Sequence, residues 1–224
     1  MEHPIKITAK SEALPIGLTA AALVLSAYFY LRFPEKVATH WNFAGQVDGW
    51  SSRGFSAFFA PALMVFMYAL FLILPLIDPK KARYAEFAPA FSVFRGMLLG
   101  FIFFVHLVTG LYNLGIPVPV GTVVPMAVGV LFVVMGKYLS QIKKNWFMGI
   151  RTPWTLSSES VWNRTHRFGG RVFMGFGLLL MTAPWWPEFL ALPLLLGGVI
   201  TVSLGSMAYS YVIYRQEELM KSGR

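Results

Sequence analysis

The sequence predicts an all-α fold: an integral membrane bundle of six transmembrane helices with both termini in the cytoplasm. The first observation is composition, since 56% of the residues are hydrophobic and only 13% are charged. A soluble domain cannot bury that much apolar surface. The second is that the apolar residues gather into six segments, each close to the roughly 20 residues that cross a bilayer core as a helix. The third is the placement of Lys and Arg.

The six apolar segments account for most of the chain. Pro34 is expected to end the first helix, because proline breaks a helical pattern. Gly96 and Gly100 in the third predict a close helix contact. The fifth is the shortest, and Trp185 and Trp186 at its end predict an anchor in the membrane interface. The segments cover residues 14–31, 55–77, 94–112, 118–139, 172–186 and 189–214.

The distribution of basic residues predicts the orientation. If the N-terminus is cytoplasmic, only Arg32, Lys36 and Arg53 lie outside, and every other Lys and Arg lies inside. The positive-inside rule favours this arrangement. An even number of spans then returns the C-terminus to the cytoplasm. We expect two units, an N-terminal two-helix unit over 14–78 and a four-helix unit over 92–215.

Composition also excludes several kinds of chemistry. The sequence has no cysteine, which excludes disulfides, thiolate metal sites and cysteine nucleophiles. A net charge of +9 would suggest nucleic acid in a soluble protein. In a membrane protein it indicates loops facing anionic lipid. We found no nucleotide, metalloprotease or hydrolase motif, so we predict no cofactor, no metal and no catalytic residues.

The loop over residues 32–54 is the first candidate site. His40, Asn42 and Asp48 supply an imidazole, an amide and a carboxylate, and Gly45 permits a tight turn between them. One interpretation is a structural turn whose polar groups satisfy the backbone. Another is recognition of a peptide or protein partner. A metal site would need a third ligand, for which Glu188 is available, and two ligands fall short of a closed zinc site.

The stretch over residues 143–171 is the densest in polar and aromatic side chains. Pro153 is expected to hold Thr152 extended. Thr155 or Ser157 is then expected to cap a short helix with Glu159 in its first turn. We expect this helix to lie at the membrane surface with its tryptophans at headgroup depth, and to bend at the pair Gly169 and Gly170 into the fifth span.

Arg151 in this stretch is suited to hold a phosphate, a carboxylate or helix-end carbonyls. A lipid-facing hairpin anchored by Trp and Arg is the simpler alternative.

Within the membrane segments, His106 and Asn113 are the notable polar groups. His106 is either a substrate contact or a neutral imidazole bonded to a neighbouring helix.

Two further function classes stay open at this point. A small transporter or exporter of a peptide or lipid predicts a polar cavity lined by Tyr68, His106, Tyr112 and Asn113. A membrane hydrolase predicts a cleft in which Ser157 or Ser158 meets His166, or one built on His40 and Asp48.

The residues of both loops carry a resemblance to a known family. The run from Asn145 through Gly-Ile-Arg-Thr-Pro-Trp-Thr-Leu, followed by Val161-Trp162 and Thr165-His166, resembles the signature of SdpI-family membrane proteins. The loop at His40 resembles the small N-terminal domain of unknown function that often precedes it. The external motif would comprise His40, Asn42, Gly45 and Asp48. The cytoplasmic motif would comprise Asn145, Gly149, Arg151, Thr152, Pro153, Trp154, Trp162 and His166.

The resemblance implies a multi-pass protein of the bacterial cytoplasmic (inner) membrane. Founding members of the family give immunity to a secreted peptide toxin and hold a cytoplasmic repressor at the membrane, which is a signalling role. The implied partners are therefore the bilayer, a secreted toxin outside, and a regulatory protein or anionic lipid inside.

Overall fold

The computed structural model describes residues 3–223, and this part of the chain is mostly helical. A 3-10 helix at Lys81–Phe87 precedes α3, another at Ala183–Trp185 follows α6, and a π-helical segment at Thr201–Gly205 joins α7 to α8. The regular elements are α1 (Ala9–Arg32), β1 (Lys36–Trp41), β2 (Val47–Ser52), α2 (Arg53–Ile77), α3 (Ala88–Asn113), α4 (Val120–Leu139), α5 (Pro153–Ser157), α6 (Glu159–Met181), α7 (Glu188–Ile200) and α8 (Ser206–Lys221).

Five helical segments are long and apolar enough to cross a membrane, which confirms the membrane-helix class. They are Ala9–Arg32, Arg53–Ile77, Lys81–Asn113, Val120–Leu139 and Glu188–Lys221. The predicted fifth span, 172–186, lies largely in α6. This helix has 23 residues, but its first half is too polar to qualify by composition. The sixth crossing and the orientation stay predictions.

An antiparallel hairpin of β1 and β2 joins α1 to α2, and the all-α prediction missed it. Pro34 does follow the end of α1, as predicted. The strands pair Val37 with Ser51 and His40 with Gly49, with irregular register on either side of His40. Gly45 in the turn has φ +73°, a conformation that suits glycine. The two six-residue strands, KVATHW and VDGWSS, do not alternate apolar and polar residues, so the sequence carries no strand signal.

Helices α1, α2 and α3 pack around Ala22, Met64 and Leu99, which are fully buried. The predicted close contact at Gly96 and Gly100 is wrong. A Cβ on Gly100 would meet nothing within 4 Å, and one on Gly96 would meet only a leucine side chain, at 3.4 Å.

The closest helix contact lies instead between α4 and α6. A Cβ on Gly136 would lie 2.5 Å from the carbonyl oxygen of Gly170, and one on Gly129 would lie 2.6 Å from that of Gly177. Gly129 and Gly136 are seven residues apart on α4, and Gly170 and Gly177 are seven residues apart on α6. The two helices are antiparallel, and both contacts fall on one face of each. Gly170 therefore packs against α4, and α6 runs on through Gly169 and Gly170 without the predicted bend.

A buried ion pair joins α1 to α3, where the sequence predicted no charged contact. Arg95 donates to Oε1 of Glu12 at 2.9 Å and to the carbonyl oxygen of Ser11 at 3.1 Å. The hydroxyl of Tyr68 on α2 donates to the other carboxylate oxygen at 2.8 Å. Both charged side chains are more than nine-tenths buried. The Glu12 carboxylate on α1 therefore bonds side chains on both α2 and α3. Because its hydroxyl bonds Glu12, Tyr68 is not available to line a cavity.

Candidate functional site

The signature loop, residues 140–152 between α4 and α5, is shaped by Asn145. This side chain is fully buried. Its Oδ1 accepts hydrogen bonds from the backbone N–H groups of Phe147 at 2.8 Å and Met148 at 2.7 Å. Its Nδ2 donates to the carbonyl oxygen of Lys143 at 2.8 Å. It also donates to the carbonyl oxygen of Met148 at 3.1 Å. A buried amide that bonds four backbone groups folds the loop back on itself, so Asn145 acts on structure.

Asp78, at the end of α2, holds the same loop from the other side. One carboxylate oxygen accepts from the backbone N–H of Trp146 at 3.0 Å and from the hydroxyl of Tyr84 at 3.0 Å. The other accepts from the backbone N–H of Lys80 at 2.7 Å. The sequence reasoning missed Asp78. The available signal was a lone carboxylate directly after an apolar segment and ahead of a basic pair.

His166 on α6 meets the loop at Gly149. Its Nε2 accepts from the backbone N–H of Ile150 at 3.0 Å, and its Nδ1 lies 2.8 Å from the carbonyl oxygen of Trp162. The imidazole is therefore neutral, with the proton on Nδ1. Burial lowers the pKa of His166 to about 4. Gly149 has φ +103°, and a Cβ there would overlap the imidazole, so this contact requires glycine.

Trp162 packs on His166, with the ring centres 4.1 Å apart. Its Nε1 donates to the carbonyl oxygen of Ile142 at 2.8 Å, and its side chain is fully buried. Trp162 does not face lipid, because it belongs to a core cluster with Tyr84 and Phe91, and its depth in the membrane stays a prediction. Trp146 is 48% exposed, as an interfacial residue would be.

Thr152 ends the signature loop and begins α5. Its backbone is extended, as predicted ahead of Pro153, and it forms a reciprocal capping pair with Thr155. Its hydroxyl also lies 3.0 Å from that of Ser210 on α8. The caps are therefore Thr152 and Ser158, where the sequence favoured Thr155 or Ser157. Glu159 does lie in the first turn of α6, as predicted.

Arg151 and Trp154 are the outward members of the motif. The Arg151 guanidinium donates to the carbonyl oxygen of Trp146 at 2.8 Å, and its side chain is exposed. Trp154 is half-buried, with its ring 5.0 Å from that of Tyr211. Arg151 thus bonds one loop carbonyl, which is none of its three anticipated acceptors, and its guanidinium makes no other hydrogen bond among the described residues.

The serines of this region do not form a nucleophile–base pair with His166. The Ser157 hydroxyl donates to the carbonyl oxygen of Trp154 at 2.9 Å, and that of Ser158 donates to Glu217 at 2.7 Å. Both imidazole nitrogens of His166 bond the backbone. The internal version of the hydrolase prediction is therefore wrong.

At the hairpin, the predicted polar residues divide between turn and surface. Asn42 closes the turn, since its Oδ1 accepts from the backbone N–H of Gln46 at 2.9 Å. His40 and Asp48 form a cross-strand pair at 2.5 Å on an exposed face. Glu188 lies at the start of α7. In residues 3–223, no three His, Cys, Asp or Glu side chains are grouped to hold a metal.

Beneath the hairpin lies a cavity of about 370 Å³, the hairpin pocket, bounded by β1, α2 and α3. Six of its lining residues have polar side chains, and two of these, Asn113 and Ser56, differ in their hydrogen bonding. Asn113 accepts from the backbone N–H of Ala38 at 2.8 Å and donates to its carbonyl oxygen at 3.0 Å, which fixes β1 to α3. Ser56 has a buried hydroxyl without a hydrogen-bond partner among the described residues. The apolar lining includes Val37, Phe55, Phe59, Leu63, Ile102 and Val105.

His106 also lines this pocket. Its Nε2 lies 3.0 Å from the hydroxyl of Ser26 on α1. That hydroxyl donates its single proton to the carbonyl oxygen of Ala22 at 2.8 Å, so Nε2 must be the donor and Nδ1 an acceptor. His106 is thus bonded to a neighbouring helix, as one interpretation expected. Of the four residues predicted to line a transport cavity, only His106 and Asn113 do so, because Tyr112 packs against Trp41.

Comparisons with known proteins match both regions. Residues 141–210 match the SdpI/YfhL protein family, and residues 17–65 match a domain of unknown function, DUF1648. The chain is similar to a curated protein of Bacillus subtilis (strain 168), "Immunity protein SdpI", with 24% identity over 208 residues, which is 92% of this chain and 97% of that protein. No solved structure matches the chain. The resemblance is therefore confirmed: the chain carries an SdpI/YfhL-family region preceded by a DUF1648 domain.

Proposed function

We propose that this chain is a bacterial cytoplasmic-membrane protein that neutralises a secreted, membrane-active peptide at its hairpin pocket. The observation that carries the proposal is the pocket itself. Its walls are mostly apolar, and among the described residues the buried hydroxyl of Ser56 has no hydrogen-bond partner. Apolar lining with few polar groups is typical of a site for an apolar ligand. A relative named as an immunity protein, similar over nearly its whole length, supports this ligand class.

The proposed topology has six spans, with the hairpin outside and both termini inside. Contacts at the two ends of the bundle support it. The hairpin meets the end of α3 and the start of α4, whereas the start of α1 meets the start of α3. Helices that cross the membrane in alternating directions place the end of α3 and the start of α4 on one side, and the starts of α1 and α3 on the other. The hairpin then faces the side from which a secreted peptide arrives. We retain the two units 14–78 and 92–215 as part of this proposal.

The first experiment compares two matched substitutions on α2. Ala60 lines the hairpin pocket, and Ala62 is exposed on the same helix. Ala60→Phe should fill the pocket, whereas Ala62→Phe adds the same ring to an outward face. Sensitive bacteria that express each variant are challenged with a panel of purified secreted membrane-active peptides. We expect the Ala62→Phe variant to protect as the wild type does, and the Ala60→Phe variant to lose protection.

A binding measurement separates capture from other causes of survival. A photo-cross-linking amino acid in place of Phe59 should label the protecting peptide, and one in place of the exposed Phe66 should not. Equal protection by both phenylalanine variants, or equal labelling at both sites, would contradict the proposal.

On the inner side we propose that Arg151 and Trp146 present a surface to a cytoplasmic regulatory protein. Both are exposed, and they are joined by the hydrogen bond from the Arg151 guanidinium. Arg151→Ala should abolish recruitment of that protein to the membrane while insertion stays intact, as measured by fractionation. Recruitment at the wild-type level would rule this surface out.

A further inference from the structure

A second cavity, of about 230 Å³, lies between α6 and α8 and is surrounded by arginines. Arg164, Arg167 and Arg171 all come from α6, where spacings of three and four place them on one face. Phe168 on α6 stacks on Tyr209 of α8, with ring centres 4.2 Å apart and planes 11° apart. The stacked rings give the cavity an apolar wall beside the three guanidinium groups.

The three guanidinium groups are not neutralised within the described chain. Among residues 3–223, none of the three takes part in an ion pair. By contrast, Arg83 and Arg95 are each paired with a glutamate. Positive charges held together on one helix face repel one another, so an anion in the cavity would relieve that repulsion.

Glu217 on α8 is the carboxylate that acts on this cluster, since it interacts with Arg164 at longer range. It does not satisfy the arginines, because its oxygens are engaged elsewhere. Oε2 accepts from the Ser158 hydroxyl at 2.7 Å, and Oε1 lies 3.2 Å from the ammonium of Lys221.

The cavity lies where the polar half of α6 gives way to its apolar half. Arg171 directly precedes Val172, where the proposed fifth span begins, and Tyr209 lies near the end of the last apolar segment. In the proposed topology this is the headgroup layer of the cytoplasmic leaflet, which carries anionic phospholipid. The planar guanidinium forms paired hydrogen bonds to phosphate oxygens.

We propose that Arg164, Arg167 and Arg171 bind the phosphate of an anionic phospholipid headgroup, beside the stacked rings of Phe168 and Tyr209. The site uses the proposed topology for its depth, but it does not depend on peptide capture. The apolar wall formed by Phe168 and Tyr209 favours a lipid over a free phosphate ester, because it leaves room for the apolar part of the molecule beside the charged part.

The test measures lipid retained by the purified full-length chain. Protein in zwitterionic phosphatidylcholine nanodiscs is titrated with phosphatidylglycerol, and bound lipid is measured by native mass spectrometry. The triple variant R164Q/R167Q/R171Q is compared with K10Q/K81Q/R215Q, which loses the same charge at three exposed positions. We expect wild-type retention in the control, and at least about tenfold weaker retention in the triple variant, since hydrogen bonds to charged groups are lost.

Three results decide the proposal. Equal retention by the triple variant and the control would overturn it. Glycerol phosphate is added at the same millimolar concentration as phosphatidylglycerol. If it displaces the lipid, the site binds a soluble phosphate ester, and the lipid assignment is overturned. If the triple variant does not fold, R167Q and R167K replace it. Retention in R167K with loss in R167Q supports the site, and equal retention in both contradicts it. Peptide protection is scored on the same variants, so failure of one proposal is distinguishable from failure of the other.

Discussion

The signature loop and the hairpin pocket use their polar groups in opposite ways. Around the signature loop, the side chains of Asn145, Asp78 and His166 each accept hydrogen bonds from the loop backbone. These side chains have little hydrogen-bonding capacity left. In the hairpin pocket, Ser56 is buried without a partner among the described residues. The most conspicuous part of the sequence therefore builds the fold. The less conspicuous part holds the polar groups that the proposed function assigns to a ligand.

The largest expected effect tests whether the signature loop is a folding unit. Trp162→Ala removes a fully buried indole and its bond to Ile142, and should lower the free energy of unfolding by about 3–5 kcal/mol. Unfolding is followed by tryptophan fluorescence in mixed micelles. Trp146→Ala, at an exposed position, is the matched control and should cost less than about 1 kcal/mol. Equal losses would remove the distinction between buried and outward members of the motif.

Acid is expected to weaken the signature loop through His166. The pKa of His166 is lowered to about 4 in the folded chain, against about 6.5 when unfolded. The unfolded chain therefore binds more protons between these values, and stability falls as pH drops from 6.5 toward 4. The expected loss is about 3 kcal/mol, measured by unfolding across that pH range. His166→Gln should be less stable at pH 7 and should lose this part of the pH dependence; an unchanged slope would contradict the assignment.

Two serine substitutions compare an unpaired hydroxyl with a bonded one. Ser56→Ala removes a buried hydroxyl without a described partner, so stability should stay the same or rise by about 1 kcal/mol. Ser26→Ala removes the hydroxyl that bonds His106, and should cost about 1–3 kcal/mol. Both are measured by unfolding in the same micelles. If Ser56→Ala lowers the free energy of unfolding more than Ser26→Ala does, the polar groups of the hairpin pocket are as fully hydrogen-bonded as those of the signature loop.

The smallest expected effect concerns the hairpin surface. His40 and Asp48 form an exposed pair, and exposed ion pairs contribute about 0–1 kcal/mol. Asp48→Asn should therefore leave unfolding nearly unchanged, although it removes the carboxylate from the family motif. A change in peptide protection by this variant, with unchanged stability, would extend the ligand site from the pocket to the hairpin surface.

The sequence predicted the apolar helices, the end of α1 before Pro34 and the extended backbone at Thr152, because each depends on local composition or on proline geometry. It did not predict contacts between distant segments. Asp78 meets the loop backbone at Trp146 only once α2 and the loop are folded together. The expectation that Gly170 bends the chain was wrong because its packing partner, Gly136, is distant in the sequence and the contact could not be foreseen. The hairpin pocket was not predictable for the same reason, since its walls come from three elements.

The Glu12–Arg95 pair has a consequence for biogenesis. The two charges are 83 residues apart in the chain, so α1 leaves the ribosome long before α3 does. Glu12 lies just before the first predicted apolar segment, so α1 can insert alone, but its carboxylate lacks the buried partner until α3 arrives. The first helix is therefore expected to stay loosely packed until α2 and α3 are made. The ion pair would then fix the three helices together, and truncation before Arg95 should leave α1 inserted but accessible to added protease or labelling reagents.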